Sequence, residues 1–358
     1  MILNTSQINT EKVPGPRKRH SSFKRLVTPL AFLLSALVSI PAVSADSVDM
    51  AAAKKEGKVV WYTSTPIKQA QQIANLFEAK TGIKVELFRS GGSAILRRFN
   101  QEVDAGRIAA DVLTHSDPAA ADLMAGRGLF LPFKPEGFDQ VAGAGKNEKG
   151  LWFAQRLNVM TMYLRADKIK AADYPKTWSD LSNAKYKGQM VITDPSFTSL
   201  QVTVVGTLSK QKGWEFYEGL RKNEIMVVKG NQQVSDMIKK GERYIAVGAL
   251  DSYAAEDRKA GHDIKTLYPS DGVFVIPSPT SVVKGSPNPN AAKVFAAFNL
   301  SREAQEIFPN SGGYAARMDI KAPDGSPAYK TLKVIDVDYD ALSKDSSAIK
   351  KKFNSIFQ

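Results

Sequence analysis

The chain has 358 residues, contains no cysteine and carries a formal net charge of +13 at pH 7. The lack of cysteine excludes disulfides, thiolate metal sites, cysteine nucleophiles and a lipid-modified cysteine. The basic residues are spread along amphipathic segments rather than concentrated in one arm, so we expect anionic ligands and no nucleic acid.

The first 45 residues have the features of an export signal. Basic residues between Lys12 and Arg25 precede an uncharged, largely apolar run from Leu26 to Ile40. This run is too short for a stable membrane span, although an N-terminal membrane anchor is the alternative interpretation. Since a secreted protein without a lipid anchor is retained only where there is an outer membrane, we predict the periplasm of a two-membrane bacterium.

We predict that signal peptidase cleaves before Asp46, because Val43-Ser44-Ala45 supplies the small residues that this enzyme requires. Removing 45 of the 358 residues leaves 313, with six basic residues and one acidic residue lost from totals of 49 and 36, so the net charge becomes +8. The intact mass of the exported protein should match a chain that starts at Asp46. A full-length product in the cytoplasm would contradict export.

From Lys58 onward, short apolar strands alternate with helices, which favours an α/β fold with parallel sheets covered on both faces. Strands are predicted over 59–62, 83–88 and 111–115. The first is followed by a helix that starts at Pro66 and ends at Gly82 in a left-handed cap. Further helices are predicted after the turn over 89–93 and from Pro118.

Two crossings between domains are predicted. A strand over 159–164 carries the chain into a second domain, with strands over 190–193 and 244–247 and helices over 234–240 and 251–260. Apolar runs over 273–276 and 281–284 predict the second crossing, which takes the chain back to the first domain. The proline-rich stretch 277–289 is predicted as an ordinary loop. The expected organisation is a signal peptide over 1–45, a first domain over 46–157 and 277–358, and a second domain over 158–276. Packing of the C-terminal helix on the second domain is the alternative.

These segments resemble the type II periplasmic solute-binding proteins of ABC importers, in the branch that includes ferric-iron, phosphonate and sugar-phosphate binders. The resemblance lies in four segments: Val59 to Ser64, Phe77 to Val85, Ala110-Asp111-Val112, and Ala291 to Phe308 followed by Tyr314-Ala315-Ala316-Arg317 in place of a Tyr-Pro-x-Arg motif. It implies two α/β domains joined by two hinge strands, with the ligand cleft between them. It also implies permease and ATPase partners, and we expect a monomer.

In such a fold the ligand contacts loops at the carboxyl ends of strands and the N-termini of helices. Hydroxyls, backbone amides and an arginine in these loops suit an oxyanion such as a phosphonate, a phosphate ester or a carboxylate. Helix capping by serine and threonine and simple Gly-Gly turns are the alternative interpretation. The candidate ligand-binding residues are Tyr62, Thr63, Ser64, Thr65, Arg89, Ser90, Gly91, Gly92, Ser93, Ser196, Phe197, Thr198, Ser199, Asp251 and Tyr253.

Two other functions are weighed against anion binding. Ferric binders of the family that this chain resembles use a histidine, a carboxylate and adjacent tyrosines as iron ligands. The resemblance implies that Pro66, Ser116 and Asp251-Ser252 occupy those positions here. Fe(III) favours anionic oxygen donors, so iron binding is the alternative and no metal site is predicted. After residue 45 the chain has only His115 and His262, neither in a catalytic motif, so we expect neither an enzyme nor a cofactor.

Overall fold

The computed structural model describes residues 45–358, so the predicted signal peptide lies outside the described residues except for Ala45. The helices are α1 (Met50–Glu56), α2 (Ile67–Thr81), α3 (Gly92–Asp104), α4 (Pro118–Gly126), α5 (Ser199–Lys212), α6 (Glu215–Lys222), α7 (Asn231–Lys240), α8 (Asp251–Lys259), α9 (Pro289–Asn299), α10 (Arg302–Asn310) and α11 (Tyr339–Phe357). The strands are β1 (Lys58–Thr63), β2 (Lys84–Arg89), β3 (Val112–Thr114), β4 (Phe153–Arg165), β5 (Met190–Thr193), β6 (Met226–Val228), β7 (Ile245–Leu250), β8 (Ile264–Leu267), β9 (Phe274–Val282) and β10 (Tyr314–Ala315).

All these strands belong to one mixed sheet with the order β2-β1-β3-β9-β4-β7-β5-β6, and β8 and β10 pair with β4. β1 is parallel to β2 and β3, and β5 is parallel to β6 and β7. Between these two parallel sections, β4 and β9 pair with each other in antiparallel orientation. The predicted alternation of strands and helices is therefore confirmed.

The segment from β1 to β2 shows how the local sequence builds this alternation. α2 buries Ala70, Ile73, Ala74 and Phe77, which recur at helical spacing and pack on the sheet. Gly82 ends the helix with a φ of 74°, and its N–H donates to the carbonyl of Glu78. This is the left-handed cap that the sequence predicts.

The strand β9 runs through Pro277 and Pro279, so the predicted loop over 277–289 is wrong for its first six residues. A proline has no N–H to give to the neighbouring strand. The pairing of β4 accordingly shifts register between Ala154 and Leu157, opposite these prolines. Asn158 compensates with its side-chain amide, which donates to the carbonyl of Ile276 at 2.8 Å and to the Ser278 hydroxyl at 2.8 Å.

Buried apolar side chains form separate clusters on the two parallel sections. Trp61, Phe77 and Phe295 belong to one cluster beside β1, whereas Trp178 and Phe353 belong to another beside β5. Along β4, Val159 belongs to the first of these clusters and Met160 to the second. This change lies close to the predicted domain boundary. The division into domains stays a prediction.

The helix α11 packs on α5, with Ile349 and Phe353 buried in the same cluster as Val205 and Leu208. Gly206 leaves the space that α11 occupies, because a Cβ there would lie 2.7 Å from Ile349 Cδ1.

Within residues 45–358, no helix is both long enough and apolar enough to cross a membrane.

Candidate functional site

A cavity of about 370 Å³ lies where the loops after both parallel sections meet. The loops after β1, β2 and β3 contribute Ser64, Arg89 and Ser116, and those after β5 and β6 contribute residues 196–200 and 229–232. Because the carboxyl ends of parallel strands meet at one edge of a sheet, these loops face one another across the cavity.

The lining of this cavity carries positive charge without negative charge. Its cationic side chains are Arg89, Arg97, Arg156 and Lys229, and no aspartate or glutamate of residues 45–358 lines it. Among the described residues, the arginines that form ion pairs all lie elsewhere: Arg98, Arg127, Arg165, Arg302 and Arg317. The cavity therefore favours an anion.

Arg156 is the buried cation of the site, with 6% of its surface exposed. Its guanidinium donates only to neutral groups, at 2.9 Å to Thr65 Oγ1, 3.1 Å to Gln155 Oε1 and 3.2 Å to Asn158 Oδ1. Burial, and secondarily the positive charge of Arg89, lower the pKa of Arg156 to about 9. Arg156 consequently remains protonated at neutral pH. No carboxylate of residues 45–358 pairs with it.

A buried network of uncharged groups holds Arg156 in place. Thr65 Oγ1 donates to Gln155 Oε1 at 2.7 Å, and Gln155 Nε2 donates to Asn299 Oδ1 at 2.5 Å. Gln305 Nε2 donates to the carbonyls of Gln155 and Asn299 at 2.8 and 2.7 Å. These bonds fix the side chain without neutralising its charge.

Five helices begin at the cavity, and none of them has a side-chain cap. Residues at the start of α3, α5, α7 and α8 line it, as does Pro66 directly before α2, and in all five the residue before the helix makes no capping hydrogen bond with its side chain. Of the remaining helices in the described part of the chain, side chains cap α1, α4, α10 and α11, whereas α6 and α9 also begin without a side-chain cap. Uncapped first turns leave N–H donors and a partial positive charge for an anion.

Ser64 and Tyr253 add polar groups to this lining. Ser64 Oγ is buried and has no hydrogen-bond partner among the described residues. Burial raises the pKa of the Tyr253 phenol, although the positive charge of Arg89 opposes that shift. Both hydroxyls are uncharged at neutral pH and are available to a ligand.

The two sides of the cavity touch at a pair of glycines. A Cβ on Gly91 would lie 3.0 Å from the carbonyl oxygen of Phe197, and one on Gly92 would lie 2.8 Å from Ser199 Oγ. The same Ser199 hydroxyl donates to the carbonyl of Ser116 at 3.0 Å. The absence of side chains at these glycines therefore permits the close approach of the two loops.

Ten of the fifteen predicted ligand-binding residues line the cavity: Ser64, Arg89, Ser90, Gly91, Gly92, Ser196, Phe197, Thr198, Ser199 and Tyr253. Phe197 lies at the rim with 44% of its surface exposed, and the Lys229 ammonium sits 5.4 Å from its ring centroid.

The other five predicted residues do not line this cavity. Tyr62 packs against Phe88 in the core, and its hydroxyl donates to Glu102 at 2.7 Å. Thr63 and Thr65 are buried behind the lining, where their hydroxyls bond each other at 2.7 Å. Ser93 lines a separate groove. The remaining residue, Asp251, is 3% exposed, and burial raises its pKa.

Sequence reasoning missed Arg97, Ser116, Arg156, Lys229, Asn231 and Gln232, which also line the cavity. One signal for Arg156 was present in the sequence, since no other charged residue occurs in the run from Phe153 to Leu164. A charged residue within a buried strand needs a partner or a ligand.

The histidines show no catalytic arrangement. Neither His115 nor His262 lines the cavity. His115 is fully buried, both of its ring nitrogens lack a hydrogen-bond partner among the described residues, and burial lowers its pKa to about 3. In the described part of the chain, no three histidine, aspartate or glutamate side chains are grouped to hold a metal ion.

Comparison with known proteins finds similarity to several periplasmic binding proteins. A putative 2-aminoethylphosphonate-binding periplasmic protein of Salmonella typhimurium is 24% identical over 69% of this chain and 74% of its own length. The periplasmic binding protein AfuA of Actinobacillus pleuropneumoniae, solved with fructose-6-phosphate, aligns with a TM-score of 0.74 at 21% identity over 84% of this chain and 98% of its own. Iron-bound HitA of Pseudomonas aeruginosa aligns with a TM-score of 0.72 at 22% identity over 83% and 99%.

These structural alignments confirm the predicted type II periplasmic binding protein fold. The family model described as bacterial extracellular solute-binding protein matches residues 72–333, which is most of the chain. This protein therefore belongs to the bacterial extracellular solute-binding protein family.

Proposed function

We propose that this protein captures a small organic anion in the periplasm and delivers it to the permease and ATPase of an ABC importer. The ligand classes that fit are a phosphonate, a phosphate ester and a carboxylate. The observation that carries the proposal is Arg156, a buried cation at the wall of a cavity that pairs with no carboxylate of the described chain. Taking a charge out of water costs several kcal/mol unless it is paired. An anionic ligand would supply the missing pair.

The surroundings of Arg156 support the same ligand class. Ser64 offers an unpartnered hydroxyl, and five uncapped helix N-termini offer backbone donors. These are the groups with which proteins bind phosphate and carboxylate oxygens. We further propose that binding occurs without turnover, because neither histidine reaches the cavity.

Iron binding is the second candidate, because iron-bound HitA shares the fold. Fe(III) favours several anionic oxygen ligands. The described residues that line the cavity include one phenol, Tyr253, and no carboxylate. Ser116 and Pro66 occupy two of the positions that the family resemblance assigns to iron ligands. This donor set supports an organic anion over a metal ion.

A thermal-shift screen tests the two candidates against each other. We expect stabilisation of about 2.7 kcal/mol at a ligand concentration of one hundred times Kd for a phosphorylated or carboxylated molecule. Ferric citrate should stabilise no more than citrate alone. A coloured, metal-dependent complex would restore the iron candidate, since Fe(III) absorbs visible light when tyrosine is a ligand.

The variant Arg89→Ala tests the proposed position of the anion. The loss of one charge-assisted contact should cost roughly 1.5–3 kcal/mol, or about tenfold to a hundredfold in affinity. Folding should be little affected, because Arg89 is exposed and its Nε makes a single bond, to the Thr65 carbonyl. Normal anion binding by this variant would count against the proposed ligand position.

A further inference from the structure

A second, smaller cavity adjoins the first. Its volume is about 160 Å³, and it shares Pro66, Arg89, Gln232 and Tyr253 with the larger cavity. A ligand whose anionic end lies near Arg89 would therefore extend its other end into this space. This volume is well above the roughly 10–15 Å³ that a single water needs, so the space can admit a short organic tail.

The lining of the smaller cavity differs from that of the larger one because it includes a carboxylate. Glu256 lies on α8 and is partly buried, and burial raises its pKa. It forms no ion pair among the described residues, although the exposed Lys68 lies near enough to lower its pKa somewhat. A partly buried carboxylate with no hydrogen-bond donor is free to accept bonds from a ligand.

A second acceptor lines the same space. Gln69 on α2 is 3% exposed, and its Oε1 is buried without a hydrogen-bond partner among the described residues. A buried acceptor left unpaired costs about 1–3 kcal/mol, so a ligand donor at this position would recover that cost. Glu256 and Gln69 thus provide two acceptors from two different helices.

Donors and an aromatic ring accompany these acceptors. Lys68 and Arg89 are cationic, and Tyr253 presents a phenol ring. An ammonium group would meet repulsion from the two cations. A hydroxyl group both donates and accepts, so neighbouring hydroxyls match a lining that combines a carboxylate, an amide and cations.

We propose that the smaller cavity is a subsite for a short hydroxylated tail, so that the ligand is a polyhydroxy organic anion of about triose size. This inference rests on the proposed function, since it needs an anion in the larger cavity. In this proposal Glu256 and Gln69 distinguish one anion from another, and Arg156 binds the anionic group.

Matched ligand pairs test the subsite by calorimetry. The probes are glycerol 3-phosphate against propyl phosphate, and glycerate against propionate, with phosphoethanolamine as an amine probe. We expect at least one hydroxylated member to bind about tenfold or more tightly than its plain partner, which corresponds to about 1.4 kcal/mol. Glu256→Gln and Gln69→Ala should remove that preference and leave the affinity for the plain partner unchanged. Glu218→Gln, an exposed residue of α6 away from both cavities, is the control and should preserve the preference.

The outcomes separate the two proposals. If neither member of either pair binds to the wild-type protein, the proposed function fails and the subsite fails with it. If the plain anions bind but the hydroxyls add nothing, or if phosphoethanolamine binds most tightly, the subsite alone is overturned. Equal weakening of both partners by Glu256→Gln would also overturn it, because Glu256 would then support the anion site itself.

Discussion

Replacing Arg156 by glutamine is expected to abolish anion binding while leaving the empty protein at least as stable as the wild type. Truncating one partner of a buried, hydrogen-bonded charge pair costs about 2–5 kcal/mol, so affinity should fall by roughly thirtyfold to several thousandfold. In the empty protein the same residue is a buried cation without a counter-charge among residues 45–358, and its removal relieves an unfavourable burial. Calorimetry should show the lost affinity, and thermal unfolding without ligand should show an equal or higher Tm.

Arg165→Gln is the matched control for this variant. Arg165 lies at the other end of β4 and forms an ion pair with Asp167 at 2.7 Å, away from the cavity. Its substitution should keep wild-type affinity. Wild-type affinity in Arg156→Gln, or a large loss of stability in the empty protein, would show that Arg156 serves the fold rather than the ligand.

The double variant Gly91→Ala, Gly92→Ala is expected to bind ligand roughly fivefold to a hundred-and-fiftyfold more weakly, because the added Cβ atoms oppose the close approach of the two loops. Each added Cβ would press on the opposite loop, at 3.0 Å from the Phe197 carbonyl and 2.8 Å from Ser199 Oγ. Overpacking of this kind costs about 1–3 kcal/mol, or roughly fivefold to a hundred-and-fiftyfold in affinity. The backbone itself tolerates alanine, since Gly91 has a φ of −65° and Gly92 begins a helix.

Solution scattering identifies the cause of that loss. If ligand binding draws the two sides of the cavity together, the wild-type protein should compact on saturation and the double variant should compact less. Gly126→Ala in α4 is the control, because a Cβ there meets no atom within 4 Å. Full compaction and normal affinity in the double variant would contradict a role of these glycines in closure.

The sequence was sufficient for the fold because apolar spacing and glycine positions specify the elements locally. β5 has the predicted bounds, Met190–Thr193, and Gly82 adopts the predicted left-handed conformation. Polar loops after strands were also visible as candidates, and Ser64, Arg89 and the start of α5 do line the cavity. The regular positions of loops in α/β folds make such predictions possible.

The sequence was insufficient where a side chain's direction depends on the rest of the fold. β4 was predicted to begin at 159 but begins at Phe153, since the polar residues Gln155, Arg156 and Asn158 interrupt the apolar pattern. These polar side chains line the cavity or form hydrogen bonds in the network around Arg156. The prediction for 62–65 failed to separate lining from support, because β1 ends at Thr63 and the alternation of a strand does not place the residues that follow it. Tyr62 lies within the strand and packs in the core, whereas Ser64 lies beyond the end of the strand and lines the cavity.

The five helices that begin uncapped at the cavity have a consequence for how ligand preference can change. Their backbone N–H groups attract negative charge whatever the neighbouring side chains are, so they add to Arg156 in favouring an anion of any kind. Side chains such as Tyr253 and Glu256 then need only distinguish one anion from another. A few exchanges at these positions should redirect the protein to a different anion without rebuilding any loop, since the backbone donors of the five helices stay in place.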